Sequence, residues 1–238
     1  MSERQTTRAF TLVELLVVVA IISLLLALLT PTLQRSRGLA QRANCASFRH
    51  QFLIALGTYA TANRGSFLID KTWCPHWRDT PVFYHFTDRF LGGQDWIWDC
   101  PTYSYHLAGV RDYSSQTWSS GGHTTHGSLY VAGKATMTSN WLTLGSEWHS
   151  PMGVQDPGDW AVIGCRIERT TPMSATPWST TIVHGPGPGK VRWTTFNTPI
   201  DKAGNEGGNV GYADGSAKWV DVRQLKPHLA SNGTEYYW

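Results

Sequence analysis

Residues 8–34 read RAFTLVELLVVVAIISLLLALLTPTLQ, and the fold of the whole chain turns on how this stretch is understood. From Leu12 to Leu29 it is almost continuously apolar, and extended back to Phe10 it supplies the roughly 20 residues a helix needs to cross a bilayer. A cleaved secretory signal does not fit. Such a signal has an apolar run of about 7–15 residues followed by a small-residue cut site, and no A-x-A pattern precedes Pro31 here. An ordinary anchor does not explain Glu14. An ionised carboxylate in the apolar layer costs about 2.5–3.5 kcal/mol even on lenient insertion scales, so it needs a partner or a function. The plain alternative is that Glu14, about one helical turn inside the segment, reaches the headgroups.

Charge does not orient the segment. Arg4 and Arg8 favour a cytoplasmic N-terminus, while Arg35, Arg37, Arg42 and Arg49 crowd the other flank. The local pattern is more informative. RAFTLVELLVVVAIISLLLALLTP resembles the class III signal of type IV prepilins and type II secretion pseudopilins: a short charged leader, a small residue, Phe-Thr-Leu-Val-Glu, and a proline about twenty residues on. The resemblance implies cleavage after Ala9, where the family usually has Gly, and methylation of the new terminus at Phe10. It implies that Glu14 neutralises the terminal amine of a neighbouring subunit during assembly and that Pro31 is the family's helix proline. It implies a cytoplasmic leader, a single pass through the inner membrane, an exported body, and a filament in the periplasm or at the cell surface. The implied partners are the prepilin peptidase/N-methyltransferase, other pilin-like subunits, an inner-membrane assembly platform and membrane lipid.

Beyond Pro31, Leu33, Ala40, Asn44, Phe48, Phe52, Leu56 and Tyr59 recur at three- or four-residue steps, which predicts an amphipathic helix to about Asn63, with Gly65 as a stop. One helix over 10–63 would be about 80 Å long, and Pro31 is expected to kink it or loosen the preceding turn. The expected organisation is a leader (1–9), a membrane or filament-core helix (10–30), its amphipathic continuation (31–64) and a β-rich head (65–238). The fold class is α+β, pilin-like, with the long helix packed on an antiparallel, loop-rich head.

Composition agrees with a structured chain. Hydrophobic residues make up 41% of 238, which excludes a disordered protein. A net charge of +3 gives no argument for nucleic acid. The charge is uneven, with seven Arg and two Glu in residues 1–64 against thirteen Lys and Arg and fifteen Asp and Glu in the remainder. Residues after 66 show short apolar stretches between Gly, Pro and Ser, and predict strands over 82–86, 102–108, 129–132, 160–167 and 180–184. In GNVGYADGSAKWVDV, Asp214-Gly215 predicts a two-residue hairpin turn of type I′, setting Val210 opposite Trp219 and Tyr212 opposite Ala217. The closing EYYW is read as either docked on the head or an exposed tail.

Cys45, Cys74, Cys100 and Cys165 form no C-x-x-C pair, and an even, widely spaced set behind a membrane segment favours disulfides over a zinc site. Spacing leaves all three pairings open. RANCASFRHQFLIALGTYATANRGSF, WDCPTYS and the Asp-Gly hairpin resemble elements of prepilin-like proteins abundant in planctomycetes. That resemblance implies a Cys45–Cys100 pair, leaving Cys74 with Cys165. Where those proteins have a histidine before Asp-Gly, this chain has Gly204, so no role carries over to it.

Other chemistries find little support. His123 and His126 lack a nearby carboxylate as a third metal ligand or base, and no H-E-x-x-H occurs. HGPGPGK lacks the glycine, hydroxyl residue and backbone donors of a phosphate loop. No serine sits in a nucleophile elbow. No enzyme activity and no resident cofactor are expected, although Asp201, Glu206 and Asp214 offer oxygens for calcium in a head loop. Twelve Trp exceed what one small core needs, so a membrane-tethered glycan-binding protein using a prepilin-type export route is the alternative to a structural pseudopilin or minor pilin.

Overall fold

The computed structural model describes residues 11–70, 75, 77–101, 123–125, 128–134, 149–170, 184, 200, 206–229 and 234–238. The chain divides into two compact units, Met1–Leu39 and Ala40–Trp238. Helix α1, Leu12–Ala62, contributes to both.

In the first unit the apolar side chains of α1 are unburied, Leu12 at 80% exposure and Val18 at 45%, as suits a helix whose solvent is lipid. The helix continues through Pro31. Proline removes one backbone donor, and hydroxyls around it are tied back to the ladder: Thr30 Oγ1 donates to the Leu26 carbonyl and Thr32 Oγ1 to the Leu29 carbonyl, both at 2.7 Å. Ser23 does the same to Val19 at 2.7 Å, so these polar groups are satisfied within the helix, as a bilayer interior demands.

In the second unit α1 buries Cys45, Arg49, Phe52, Leu53, Ala55, Leu56 and Ala60. Those positions follow helical three- and four-residue steps and form one face. The stripe is rotated from the expected one: Asn44 is exposed and Phe48 half-buried, while Cys45 and Arg49 take the inner positions. Phe52 is the hub of the core, with ring centroids 4.7 Å from Trp98, 5.5 Å from Phe86 and 5.7 Å from Tyr130. Trp98 Nε1 donates to Thr87 Oγ1 at 2.9 Å and the Tyr130 hydroxyl to the Leu68 carbonyl at 2.8 Å, so the polar edges of these large rings are satisfied as they are buried. After α1 the chain turns through Arg64 and Gly65, with the Gly65 amide donating to the Ala60 carbonyl at 2.8 Å.

The head carries strands β1 (Trp77–Asp79), β2 (His123–Thr125), β3 (Ser128–Tyr130), β4 (Ala161–Cys165), β5 (Glu168–Thr170), β6 (Gly207–Tyr212), β7 (Ala217–Asp221), β8 (Pro227–Leu229) and β9 (Thr234–Tyr237). They form antiparallel sheets ordered β3-β4-β6-β7, β5-β9-β8 and β1-β2. The C-terminal residues therefore dock, since β9 is the middle strand of its sheet and Tyr236 and Tyr237 are buried.

Two local expectations are corrected. Residues 82–86 belong to a helix, α2 (Thr80–Phe90), and not to a strand. Pro81 suits a helix's first turn, Arg89 suits its last, and Val82, Phe86 and Phe90 recur every four residues against the core. The β6–β7 register is also shifted by one, with Val210 opposite Lys218, Gly211 opposite Ala217 and Asn209 opposite Trp219. The turn has three residues, not two. The Gly215 amide donates to the Tyr212 carbonyl and the Tyr212 amide to the Ser216 carbonyl, and among the described residues of the turn only Gly215 has positive φ, at +84°. This is a type I turn closed by a glycine bulge, and the extra residue moves the register. Of the other expected strands, 129–132 and 160–167 overlap β3 and β4, while 102–108 and 180–183 lie outside the described residues.

His228 stacks on Trp238 with centroids 3.9 Å apart and planes 10° from parallel. Burial and the nearby Lys226 charge push His228 from its ordinary 6.5 down to about 4, against an opposing hydrogen bond with the Trp238 backbone. The unfolded chain therefore takes up this proton first as pH falls. Stability from this site is complete above about 6.5 and is lost as pH drops towards 4, by up to about 3 kcal/mol. Denaturant melts of the wild type and of His228→Phe should diverge across that interval. Parallel pH profiles would refute the assignment.

Candidate functional site

At the start of α1, Thr11 and Glu14 satisfy one another. The Thr11 amide donates to Glu14 Oε2 at 2.9 Å, the Thr11 hydroxyl donates to the same oxygen at 2.8 Å, and the Glu14 amide lies 3.3 Å from Thr11 Oγ1. This is the reciprocal T-x-x-E capping box, which supplies donors and acceptors that a helix's first turn otherwise lacks. The spacing Thr11-Leu12-Val13-Glu14 carries that signal, and reading Glu14 only as a misplaced membrane charge overlooks it. Glu14 and Pro31 both lie in α1, while Ala9 and Phe10 lie outside the described residues.

The expected calcium donors have other engagements. Glu206 pairs with Arg42 on α1, Asp214 accepts the Ser216 amide at 2.8 Å within its own turn, and Asp201 lies outside the described residues. Arg42 also sits 4.2 Å over the Trp219 ring. With Trp98 in the core and Trp238 stacked on His228, these three indoles serve internal packing.

The head gathers a constellation that is invisible in the linear spacing. Cys45 comes from α1, Cys100 from the chain just after the 3₁₀ turn Asp95–Trp98, Cys165 from the last position of β4, and His184 from a separate segment. One ligand atom from each lies within 4.8 Å of every other. Cys45 Sγ is 3.3 Å from Cys165 Sγ, and His184 Nε2 is 3.2 Å from Cys100 Sγ and 3.4 Å from Cys165 Sγ. The expected Cys45–Cys100 bridge is not formed: Cys45, Cys100 and Cys165 are all outside disulfides. The end of β4 delivers Cys165 to the same point, so three sulfurs share it. Cys74, the expected partner of Cys165, lies outside the described residues.

The surroundings are closed and polarised towards sulfur. Exposure is 0% at Cys45 and Cys100, 2% at Cys165 and 5% at His184, which leaves a substrate no approach. The Asn209 amide on β6 points at Cys165 Sγ from 3.3 Å. Gly208 permits that approach, since a Cβ there would lie 3.1 Å from the Cys165 Cβ and from Ile167. His184 is held from behind, its ring edge-on to Trp219 at 5.1 Å and its carbonyl accepting the Glu206 amide at 3.0 Å. Burial pushes the Cys100 thiol well up. For Cys165 burial acts the same way, but hydrogen bonds from Cys100 and Cys45 and the charge of His184 outweigh it and hold the thiol well down. His184, opposed by burial but drawn by the Cys165 thiolate, is raised to about 10.

Arg49 lies one helical turn beyond Cys45 at 0% exposure. Its Nε, Nη1 and Nη2 have no hydrogen-bond acceptor among the described residues. Burial opposes its charge, while Cys45, Cys165, Cys100 and Asp99 together favour it and leave its pKa raised. A lone arginine on an otherwise apolar helix face is the one sequence signal that the stripe faces something other than a hydrocarbon core.

No curated protein and no solved structure matches this chain. At the N-terminus, Glu14 and the apolar start of α1 fall within a match to a family model, and residues 4–30 carry the prokaryotic N-terminal methylation motif of prepilins.

Proposed function

We propose that this chain is an exported pilin- or pseudopilin-like structural subunit whose work is assembly and not turnover. The observation that carries this reading is the methylation motif at 4–30 running directly into the apolar first part of α1. In this reading residues 1–9 are a leader, a prepilin peptidase cuts after Ala9, and Phe10 is methylated at its new amine. The helix from 10 to 30 first holds the subunit in the inner membrane and then enters a filament core, guided by Glu14 and accommodated at Pro31. The filament belongs to a type IV pilus-like or type II secretion apparatus, with further pilin-like subunits and a membrane platform as partners.

Mass spectrometry of the protein from membranes of a host with the peptidase tests this directly. The expected N-terminal peptide begins with N-methylated Phe10. An intact Met1, or a cut at another bond, would overturn the proposal.

A further inference from the structure

We propose that Cys45, Cys100, Cys165 and His184 form a structural zinc site that ties the part of α1 within the second unit to the sheet β3-β4-β6-β7. The inference does not rest on the filament reading, because every residue in it belongs to the second unit. A tetrahedral zinc with Zn–S of about 2.3 Å and Zn–N of about 2.0 Å spaces its ligand atoms by about 3.8 Å between sulfurs and about 3.5 Å between sulfur and nitrogen. The observed separations, from 3.2 Å to within 4.8 Å, bracket those values. Seating the ion takes small shifts, the Cys45 and Cys165 sulfurs parting from 3.3 Å and the more widely spaced ligand atoms closing in.

Donor chemistry selects the metal. Three soft thiolates and one imidazole in a compact tetrahedral set favour zinc over the hard, oxygen-seeking calcium or magnesium. Four protein ligands with nearly no exposure make a closed site, which is the structural and not the catalytic form. Binding displaces the protons of the two remaining thiols and of the imidazolium, leaving three thiolates and a neutral imidazole around the dication and a net charge of −1. That charge adds to the Asp99 carboxylate in favouring the buried Arg49 guanidinium, and metal-bound thiolates are better acceptors than thiols for its N–H groups. The Asn209 amide aimed at Cys165 Sγ supplies the outer support that metal-bound thiolates need. A disulfide accounts for less, because joining any two of the sulfurs leaves the third cysteine, the histidine and the arginine buried together.

The test uses the full-length chain purified in detergent without chelators or added metal, with metals counted by plasma mass spectrometry. About one zinc per chain is expected in the wild type, falling at least roughly tenfold in Cys100→Ser and in His184→Gln. Should those variants fail to fold, wild type stripped and refolded with cobalt alone decides the matter. It should show the thiolate charge-transfer and ligand-field absorption of a tetrahedral cobalt site. Wild type lacking metal and carrying a disulfide among these cysteines, zinc retained in both variants, or no tetrahedral cobalt spectrum would each overturn the assignment.

Discussion

Lys134→Met is expected to lower the stability of the head by about 3–5 kcal/mol, a shift in melting midpoint on the order of 10 °C for a chain of this size. Lys134 Nζ lies 2.8 Å from Asp70 Oδ2, and the two side chains are 0% and 1% exposed. Removing the ammonium takes the counter-charge away from a carboxylate that is almost wholly withdrawn from water. Removing both charges is far less costly, because the pair's attraction mainly offsets the desolvation of its members. The double variant Lys134→Met with Asp70→Asn should therefore recover most of the loss. Thermal melts followed by tryptophan fluorescence on the wild type, both single variants and the double variant read this coupling. Additive losses would show that the two groups act separately.

The second large effect concerns assembly. On the filament reading proposed above, Glu14→Ala and Glu14→Gln should both leave cleavage intact and reduce incorporation into filaments by about a hundredfold or more, because each would leave a neighbouring terminal amine unpaired in a low-dielectric bundle. The two substitutions separate the carboxylate's roles. Glutamine keeps an acceptor for the Thr11 amide and hydroxyl and so preserves the capping box, whereas alanine also loses about 0.5–2 kcal/mol of helix-end stability. Quantitative immunoblots of sheared filaments, set against processed subunit in membranes, give the ratio. Normal incorporation of Glu14→Gln would reduce Glu14 to a cap.

Features written in short-range spacing were legible in the sequence. The apolar run, the proline and the helix as far as Ala62 all follow from neighbours in the chain. Features set by tertiary contacts were not. Residues 82–86 look like a β-rich run in isolation, and only the recurrence of Val82, Phe86 and Phe90 against Phe52 and Tyr59 makes them helical. The hairpin was placed correctly at Asp214-Gly215, yet its register depended on whether both of these residues or Gly215 alone took positive φ, and a dipeptide does not settle that. The cysteine cluster escaped because its members come from four segments, and a search for C-x-x-C presumes that ligands arrive in pairs. Its trace was an arginine on the wrong face of a helix.

Cys45 and Cys165 are 120 residues apart in the chain, and Cys100 and His184 are 84 apart. Synthesis runs from the N-terminus, so the residues of α1 exist well before the strands that will cover them. Contacts this distant close late and slowly, because the loop entropy is lost before the contact is gained. Through that interval the face bearing Cys45, Arg49 and Phe52 stands uncovered, and its thiol meets whatever oxidant or metal is present. If the four residues hold a metal as proposed, the order in which the chain emerges makes His184 the last ligand to arrive, and the set closes only once it does.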